Sequence, residues 1–280
     1  MQPPMNDTRP NAELIDIGVN LTSKRFDSDR HQVIERALDA GVRYCLVTGT
    51  DMADSEKAVR LCETMGVEYQ NSLRCTTGVH PHEADQLSNE TARQLLQLIQ
   101  DNRDWIVAVG ETGLDFNRNF SSPSAQEKAF EAQLELAAET GLPLFLHERD
   151  AHQRQFDILQ HWRDNLSGGV QHCFTGDRRG LFRYLDLDLH IGITGWICDE
   201  RRGLELQRLV KDIPLDRLLV ETDAPYLTPR TLKPKPKSGR NEPAFLPAVI
   251  ATIAEHRPEC EQEIAIATSD NARRLFGFGE

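Results

Sequence analysis

The stretch SAQEKAFEAQLELAAETGLPLFLH, residues 124–147, decides the fold of this chain. Its first part, Ser124–Thr140, repeats apolar residues at helical spacing and predicts an amphipathic helix. Gly141, followed by Pro143, ends that helix because glycine suits the left-handed cap and proline cannot continue a helix. The short apolar run Pro143–His147 then predicts a buried strand. A helix that leads directly into a buried strand is one unit of an alternating pattern of strands and helices.

The same unit recurs along the whole chain, where short β-branched or aliphatic runs alternate with longer amphipathic stretches. The predicted strands are Leu14–Leu21, Tyr44–Thr50, Cys75–His80, Trp105–Glu111, Pro143–His147, Gly169–Phe174, His190–Thr194 and Leu218–Asp223. Strands that alternate with helices form either a closed parallel barrel or a doubly wound open sheet. The count of eight and the polar residues at successive strand tips favour a (β/α)8 TIM-type barrel, since those tips share one face of a barrel.

Length and composition agree with one soluble unit. The chain has 280 residues, of which 27% are charged and 39% hydrophobic, and α/β barrels of about 250 residues are common. Residues 13–280 are predicted to form a single barrel. Residues 1–12 are predicted to be a flexible tail, because this segment is polar and proline-containing and lacks the apolar core of a secretory signal. No apolar run approaches the roughly 20 residues that span a bilayer.

Charge and cysteine usage narrow the class of protein. The formal net charge of −12 argues against a protein that coats nucleic acid through a broad basic field, but allows local grips on a few phosphates. The six cysteines form no C-x-x-C pair, so reduced cysteines in a cytoplasmic protein are expected. The sequence contains neither G-x-G-x-x-G nor G-x-x-x-x-G-K-[ST], the two glycine-rich motifs that bind nucleotide phosphates. A fold that binds a nucleotide cofactor therefore lacks its usual support.

Four predicted strand tips carry residue types that bind metals: Glu111, His147, His172 and Asp223. Alternation along a strand places Val109 below Glu111 and Phe145 below His147, as expected for a packed barrel with polar residues at its mouth. Any one of the four alone is explained as a satisfied polar residue near a strand end. Four at matching positions predict a shared site, and two imidazoles with two carboxylates suit Zn, Mn or Mg.

Further candidates flank these positions. His80 and His82 follow the third predicted strand and are candidates for contacting a substrate phosphate or a metal-bound water. The alternative is a turn that Pro81 fixes. Arg149 lies two residues after His147, on the same side of the predicted strand, and is a candidate for binding phosphate. A surface salt bridge explains it as well.

Two residues next to the predicted ligands have less specific signals. Glu221 shares a strand side with Asp223, and either hydrogen-bonds a metal ligand or pairs with a buried cation. Cys173 follows His172, and alternation predicts that its side chain points away from the site and packs.

Together these residues resemble the TatD family of metal-dependent deoxyribonucleases, which are amidohydrolase-like barrels. The resemblance runs from Asp16 to about Phe276, nearly the whole chain. Five motifs carry it: Thr-Gly-Val-His-Pro-His (77–82), Gly-Glu-Thr-Gly-Leu-Asp-Phe (110–116), Leu-His-Glu-Arg-Asp (146–150), His-Cys-Phe-Thr-Gly (172–176) and Glu-Thr-Asp-Ala-Pro-Tyr-Leu (221–227). The resemblance implies metal-ligand roles for Glu111, His147, His172 and Asp223.

The first strand departs from the family pattern. Most members carry Asp-x-His-x-His, whereas this strand reads Asp16-Ile17-Gly18-Val19-Asn20, so one metal position loses two imidazoles. Asn20 would hold a water or a second, weaker ion, for which Mg is the better candidate. This form of the strand resembles a subgroup similar to 3′–5′ exonucleases on single-stranded DNA and RNA. The resemblance implies that substrate class, a role in DNA repair and Mg as the activating ion, with Mn or Zn as alternatives.

The resulting hypothesis is phosphodiester hydrolysis, with a divalent ion on Glu111, His147 and His172 activating a water. Asp223 is predicted to accept the proton of that water, so Asp223 and Glu111 are the predicted catalytic residues. One rival is a metal-dependent hydrolase of small-molecule or aminoacyl esters or amides on the same barrel. Another is a non-enzymatic binding barrel that has lost its metal. Neither a membrane nor an obligate protein partner is indicated.

Two features bear on nucleic-acid binding. Lys233, Lys235, Lys237 and Arg240 form a proline-spaced basic segment after the eighth strand, which either tracks phosphates or is a solvated loop. Trp196, after the seventh strand, either stacks on a base or packs inside.

Overall fold

The structure is a computed structural model that describes residues 13–236 and 238–279. The predicted tail over residues 1–12 and the side chain of Lys237 lie outside the described residues. The strands are β1 Leu14–Val19, β2 Val42–Val47, β3 Leu73–Thr77, β4 Ile106–Asp115, β5 Leu144–Arg149, β6 Gly169–Gln171, β7 His190–Ile193 and β8 Leu218–Val220. The α-helices are α1 Arg30–Asp39, α2 Met52–Leu61, α3 Asn89–Asp101, α4 Pro123–Thr140, α5 His152–Trp162, α6 Arg178–Asp186, α7 Leu204–Leu209, α8 Leu246–Ala254 and α9 Glu261–Phe276.

The strands form one parallel sheet in the order β1 to β8, without a reversal. The sheet closes where β1 meets the segment that follows β8. There Val19 bridges Ala224 in parallel, and the Asn20 N–H donates to the Ala224 carbonyl at 2.7 Å. The Asp223 N–H also donates to the Gly18 carbonyl at 2.8 Å. The predicted (β/α)8 barrel is therefore confirmed, and the alternative of a doubly wound sheet is excluded.

Helix α4 shows why the deciding stretch folds as predicted. The Ser122 hydroxyl caps the helix by accepting the Ala125 N–H, and Pro123 occupies its first turn. Gly141 ends the helix at φ +71°, a left-handed conformation that glycine adopts without strain. Phe130 and other apolar residues on one side of α4 are buried against the barrel, and burial of each large side chain stabilises the fold by about 1.5–3 kcal/mol.

The apolar residues separate into two layers. One fills the space between the strands and the surrounding helices. The other fills the barrel interior and its floor: Ile15, Ile17, Leu46, Ala108, Phe145, Val170, Leu219, Ala272, Phe276 and Phe278. Because side chains from α9 and the chain end plug the floor, the interior opens to solvent at the carboxyl ends of the strands, where barrel enzymes carry their sites.

Strand β4 differs from its prediction. It was expected to end at Glu111, but it continues to Asp115. The pairing with β5 shifts register after Val109, which packs in the outer layer, whereas Glu111 faces the mouth. The predicted alternation of these two residues was therefore wrong, because a bulge adds a residue between them. Gly110 sits in that bulge at φ +148°, where a Cβ atom would lie 2.2 Å from the Phe145 carbonyl oxygen.

Strand β6 is shorter than the predicted Gly169–Phe174 and ends at Gln171. His172 therefore lies just beyond the strand, although its N–H still donates to the Leu146 carbonyl of β5 at 2.9 Å. In the described part of the chain, none of the helices is long and apolar enough to cross a membrane.

Candidate active site

The carboxyl ends of the strands open into a cleft of about 1140 Å³. Its lining includes every site residue predicted from the sequence: Asn20, His80, His82, Glu111, His147, Arg149, His172 and Asp223. These residues come from six different strand ends, so the closure of the barrel is what brings them together.

Glu111 lies at the centre of the cleft floor. One of its oxygens, Oε1, lies 2.9 Å from His172 Nε2, 3.0 Å from His147 Nδ1 and 3.4 Å from His80 Nε2. In the described part of the chain, one group of three potential metal donors has its atoms within 4.8 Å of one another: His80, Glu111 and His147. A carboxylate surrounded by imidazole nitrogens is a donor set that suits divalent cations of the Zn and Mn type, and Mg through the carboxylate.

His80 belongs to this donor group, whereas the sequence predicted a contact with a substrate phosphate or a metal-bound water. The turn that begins at Pro81 fixes the ring, because His80 Nδ1 accepts the His82 N–H at 3.1 Å. The other ring nitrogen then faces Glu111. The proline turn and the functional position were taken as alternatives, but the turn is what aims the imidazole into the site.

The charges of the cluster support one another. Burial alone would raise the pKa of Glu111, but His172 and His80 outweigh it and hold that pKa well below its usual range. Burial lowers the pKa of His172, yet Glu111 and Glu221 outweigh burial and raise it well above its ordinary value. Glu111 is therefore an anion at neutral pH and a ready donor to a cation.

Glu221 is fully buried and contacts the ring nitrogen of His172 that faces away from Glu111. Its Oε2 lies 3.3 Å from His172 Nδ1, and its Oε1 accepts the Cys173 N–H at 2.5 Å. Both sequence interpretations match this geometry, because the predicted metal ligand His172 is also the buried cation with which Glu221 pairs. Such a partner fixes which imidazole nitrogen faces the metal.

The departure from the family pattern at Gly18 has a direct structural counterpart. A Cβ atom at Gly18 would lie 2.2 Å from Glu221 Oε2, and one at Gly192 would lie 2.7 Å from Glu221 Oε1. The two glycines thus form a cradle for the Glu221 carboxylate. The space that a histidine at position 18 would enter is filled by a carboxylate that holds another histidine.

Asp223 sits on the other side of the cleft from β4. Its Oδ1 accepts the side-chain amide of Asn20 at 3.0 Å. Burial raises the pKa of Asp223 to about 7, although His172 opposes the shift. Asn20 was expected to hold a water or a second ion, and in this structure its amide orients the carboxylate that was predicted to accept a proton.

Asp115 is a site residue to which the sequence reasoning gave no role. Its Oδ2 lies 2.7 Å from His82 Nε2 and 3.4 Å from His147 Nε2, while Oδ1 accepts the Arg118 N–H at 2.9 Å. Burial raises the pKa of Asp115, but His147 and the backbone N–H of Arg118 outweigh it and hold the pKa below its usual range. The residue lies within the motif of residues 110–116, yet β4 was expected to end before it.

The prediction for Cys173 was wrong, and Arg240 has partners that the sequence did not indicate. Cys173 was expected to point away from the site, but it lines the cleft because its backbone adopts φ +45° and breaks the alternation. Burial raises the pKa of this thiol to about 12. Arg240, for which phosphate contact and a solvated loop were the alternatives, makes ion pairs of 2.7 Å with both Asp29 and Glu242.

Other candidates have simpler outcomes. Arg149 is exposed and lines the cleft, where a phosphate could reach it. The cleft lining does not include Lys233 or Lys235, so the described part of the basic segment lies away from the site. Trp196 is half-buried and packs against the outer apolar layer, as the packing alternative predicted, and it also lines the cleft.

A closed parallel barrel with a carboxylate and three histidines at its mouth is the architecture of a barrel hydrolase with a candidate metal site. Residues 15–277 match the family described as TatD related DNase. The chain belongs to that family. The resemblance drawn from the five sequence motifs is thereby confirmed.

Curated relatives match the chain over nearly its whole length. The protein named 3′-5′ ssDNA/RNA exonuclease TatD from Pectobacterium carotovorum is 52% identical over 263 residues, which cover 94% of this chain and 99% of the relative. The protein of the same name from Salmonella typhimurium is 51% identical over 263 residues, 94% of this chain and 98% of the relative.

Solved structures agree with this assignment. YjjV, a TatD homolog from Escherichia coli, superposes with a TM-score of 0.85 at 30% identity and covers 95% of this chain and 98% of its own. N-acetyl-D-glucosamine-6-phosphate deacetylase from Mycobacterium smegmatis has a TM-score of 0.63 at 10% identity, with 95% of this chain and 77% of its own covered. That more distant likeness shows the shared barrel alone.

Proposed function

We propose that this protein is a metal-dependent 3′–5′ exonuclease that hydrolyses phosphodiester bonds in single-stranded DNA and RNA. The family and the names of the curated relatives support the substrate class. The observation that carries the proposal is the single Glu111 oxygen that faces three imidazole nitrogens at 2.9–3.4 Å on the floor of an open cleft.

Glu111, His147 and His172 are the proposed metal ligands, with His80 close enough to join them. The anionic Glu111 and the imidazole nitrogens fit a divalent cation, and we propose Mg as the activating ion, with Mn and Zn as the alternatives. When bound, such a cation would lower the pKa of a coordinated water and offset charge on the phosphoryl oxygens.

Asp223 is the proposed proton acceptor. Its pKa of about 7 gives it basic strength near neutral pH, as general base catalysis requires. Asn20 orients the carboxylate through the 3.0 Å hydrogen bond. Arg149, on the exposed wall of the cleft, is proposed to bind a substrate phosphate.

The test is degradation of a 5′-labelled single-stranded oligonucleotide in the presence of Mg, Mn or Zn. Wild type should produce a ladder that shortens from the 3′ end, and a chelator should abolish it. Glu111→Gln should lower kcat by about 10⁴-fold, because it removes the one group that contacts all three histidines. Glu139→Gln, an exposed position on α4, is the matched control and should cleave like wild type.

Protein that is folded and binds the metal but cuts no oligonucleotide with any of these ions would contradict the proposal. Cleavage of ester or amide substrates by the same preparation would then assign the site to small-molecule hydrolysis.

A further inference from the structure

Large aromatic side chains stand exposed around the mouth of the cleft. Phe120 is 66% exposed and Tyr226 is 53% exposed, and both line the same cleft as Glu111, as does Trp196. An isolated exposed aromatic residue needs no explanation. Several at the rim of one polar site are a different matter, because an exposed ring offers a face to a planar ligand.

Phe120 stands in the loop after β4, directly above one of the site histidines. Its ring meets His82 edge to face, with 4.8 Å between ring centroids and an interplanar angle of 85°. His82 in turn is fixed by Asp115 at 2.7 Å. The phenyl ring is therefore positioned by the site, although most of its surface remains open to solvent.

The second group lies on the opposite rim. Tyr226 follows β8, and its N–H donates to the Asp223 carbonyl at 2.9 Å. Trp196 follows β7, and the Arg202 guanidinium lies 4.4 Å from the centroid of its ring. Since the strands run around the barrel in sequential order, the loop after β4 faces the loop after β8 across the mouth.

We propose that these rims form two base-stacking shelves: Phe120 on one side, and Tyr226 with the Trp196–Arg202 pair on the other. They hold the nucleobases on either side of the scissile phosphate of a single strand while that phosphate lies over Glu111. The inference rests on the proposed nuclease function and adds the residues that select an unpaired strand. In a duplex the base faces are stacked and unavailable to such shelves.

The negative net charge of the chain supports base stacking as a main source of affinity for a single strand. The formal net charge is −12, so long-range attraction of a polyanion is weak. Stacking on aromatic side chains does not depend on a basic field, and it accepts every base because each has a π-face. The shelves therefore imply binding that tolerates any sequence and requires unpaired bases.

Binding without cleavage tests the shelves directly. The probe is a fluorescein-labelled oligothymidylate in the presence of EDTA, followed by fluorescence anisotropy, beside the same oligonucleotide with abasic sites at its 3′ end. Wild type should bind the complete strand more tightly. Phe120→Ala and Tyr226→Ala should each weaken binding of the complete strand by about 5- to 150-fold, the range for loss of one stacked base.

The decisive result comes from combining the change in the protein, Phe120→Ala, with the removal of the bases from the oligonucleotide. In Phe120→Ala the preference for the complete strand over the abasic strand should shrink by the same factor, since ring and base remove one shared contact. Phe120→Trp should restore the preference, whereas Phe120→Leu should not, although it keeps an apolar contact with His82. Phe182→Ala, an exposed phenylalanine outside the cleft lining, is the control and should bind both strands like wild type.

Equal binding of complete and abasic strands by wild type, or variants that leave the preference intact, would overturn the shelves. Wild type that cleaves oligonucleotides but shows no base preference rejects the shelves and keeps the nuclease proposal. A base preference that depends on Phe120 in a protein that cleaves nothing rejects the nuclease proposal and keeps only the stacking of bases on these aromatic side chains.

Discussion

The same strands carry polar, titratable side chains at the mouth of the barrel and apolar side chains at its floor. At the mouth, Glu111 and its imidazole partners are polar groups in close contact. At the floor, Tyr44 and Phe278 pack with ring centroids 5.3 Å apart, and Phe276 lies 6.3 Å from Phe278. The floor is tightly filled and apolar, whereas the mouth is open and titratable. Stability and chemistry thus have separate locations in this fold.

Two carboxyl groups are held in energetically unfavourable states where β1 meets the segment after β8: Asp223 in the cleft, and Asp16, which is fully buried and does not line the cleft. Burial raises the pKa of Asp16 to about 7, although Thr222 opposes the shift by donating hydrogen bonds from its N–H at 2.9 Å and from its hydroxyl. Asp223 has a raised pKa of about 7 as well. These carboxyl groups are desolvated at the expense of stability, so we expect the floor and the outer apolar layer to supply the compensating stability.

The largest expected effect comes from breaking the floor. Phe276→Ala should lower the free energy of unfolding by about 3–5 kcal/mol, because it opens a cavity in a closely packed layer. The rate of oligonucleotide cleavage at moderate temperature should remain that of wild type. Chemical denaturation and the cleavage assay measure the two quantities. Phe182→Ala, exposed on α6, should change stability by less than about 1 kcal/mol.

A variant of Phe276 that loses activity in proportion to stability while still folded would show that the ends are coupled, contrary to this comparison.

The next effect concerns the pH dependence of folding stability, for which a buried histidine and a buried carboxyl group act in opposite directions. His190 begins β7 near the floor, and burial, helped by Arg217, lowers its pKa to about 4. The unfolded chain takes up a proton on this residue near pH 6.5, so folding stability should fall as pH drops from about 6.5 to about 4, by up to about 3 kcal/mol. His190→Gln should flatten that part of the stability profile in denaturation experiments.

Asp16 should act in the opposite direction. Its pKa is about 7 in the folded chain and lower in the unfolded chain, so its contribution is complete at low pH and is lost as pH rises toward 7. An amide at this position does not ionise. The stability of Asp16→Asn relative to wild type should therefore be higher at neutral pH than at acid pH. If His190→Gln lost folding stability in acid more steeply than wild type, the acid loss could not be assigned to His190.

The smallest of the three effects concerns a carboxylate at the mouth that contacts two of the site histidines. Asp115→Asn keeps the shape of the side chain but replaces the oxygen that faces His82 and His147 with an amide nitrogen. We expect metal affinity and kcat/KM to fall by about 10- to 100-fold, the usual result of removing a hydrogen-bonding partner of a metal ligand. Calorimetric titration with Mn measures the affinity. Asp216→Asn, exposed before β8, is the control and should leave the affinity unchanged.

Unchanged metal affinity in Asp115→Asn would mean that this carboxylate serves the backbone turn at Arg118 rather than the histidines.

The regular part of the fold was predictable from local pattern. Helix α4 was expected over Ser124–Thr140 and spans Pro123–Thr140, because capping and apolar spacing both act within a few residues. Phe145 lies in the barrel interior and His147 lines the cleft, as alternation along β5 predicted. Such features depend on neighbours in sequence, and the sequence contains them directly.

The mouth was less predictable, because its geometry depends on departures from regular backbone. A bulge at Gly110 turns Glu111 inward and lets β4 continue to Asp115. A positive φ at Cys173 brings a thiol into the cleft against the expected alternation. The Arg240 ion pairs with Asp29 and Glu242 join distant segments. None of these contacts leaves a periodic signal in the sequence.

The cradle around Glu221 constrains how this active site can evolve. A side chain at position 18 requires the carboxylate to leave, since a Cβ atom there would lie 2.2 Å from it. Departure of the carboxylate releases His172 and the Cys173 N–H, which it now holds. The substitutions at 18 and 221 are therefore epistatic. A side chain at position 18 is therefore expected to disturb His172 through Glu221, although residue 18 itself does not contact that histidine.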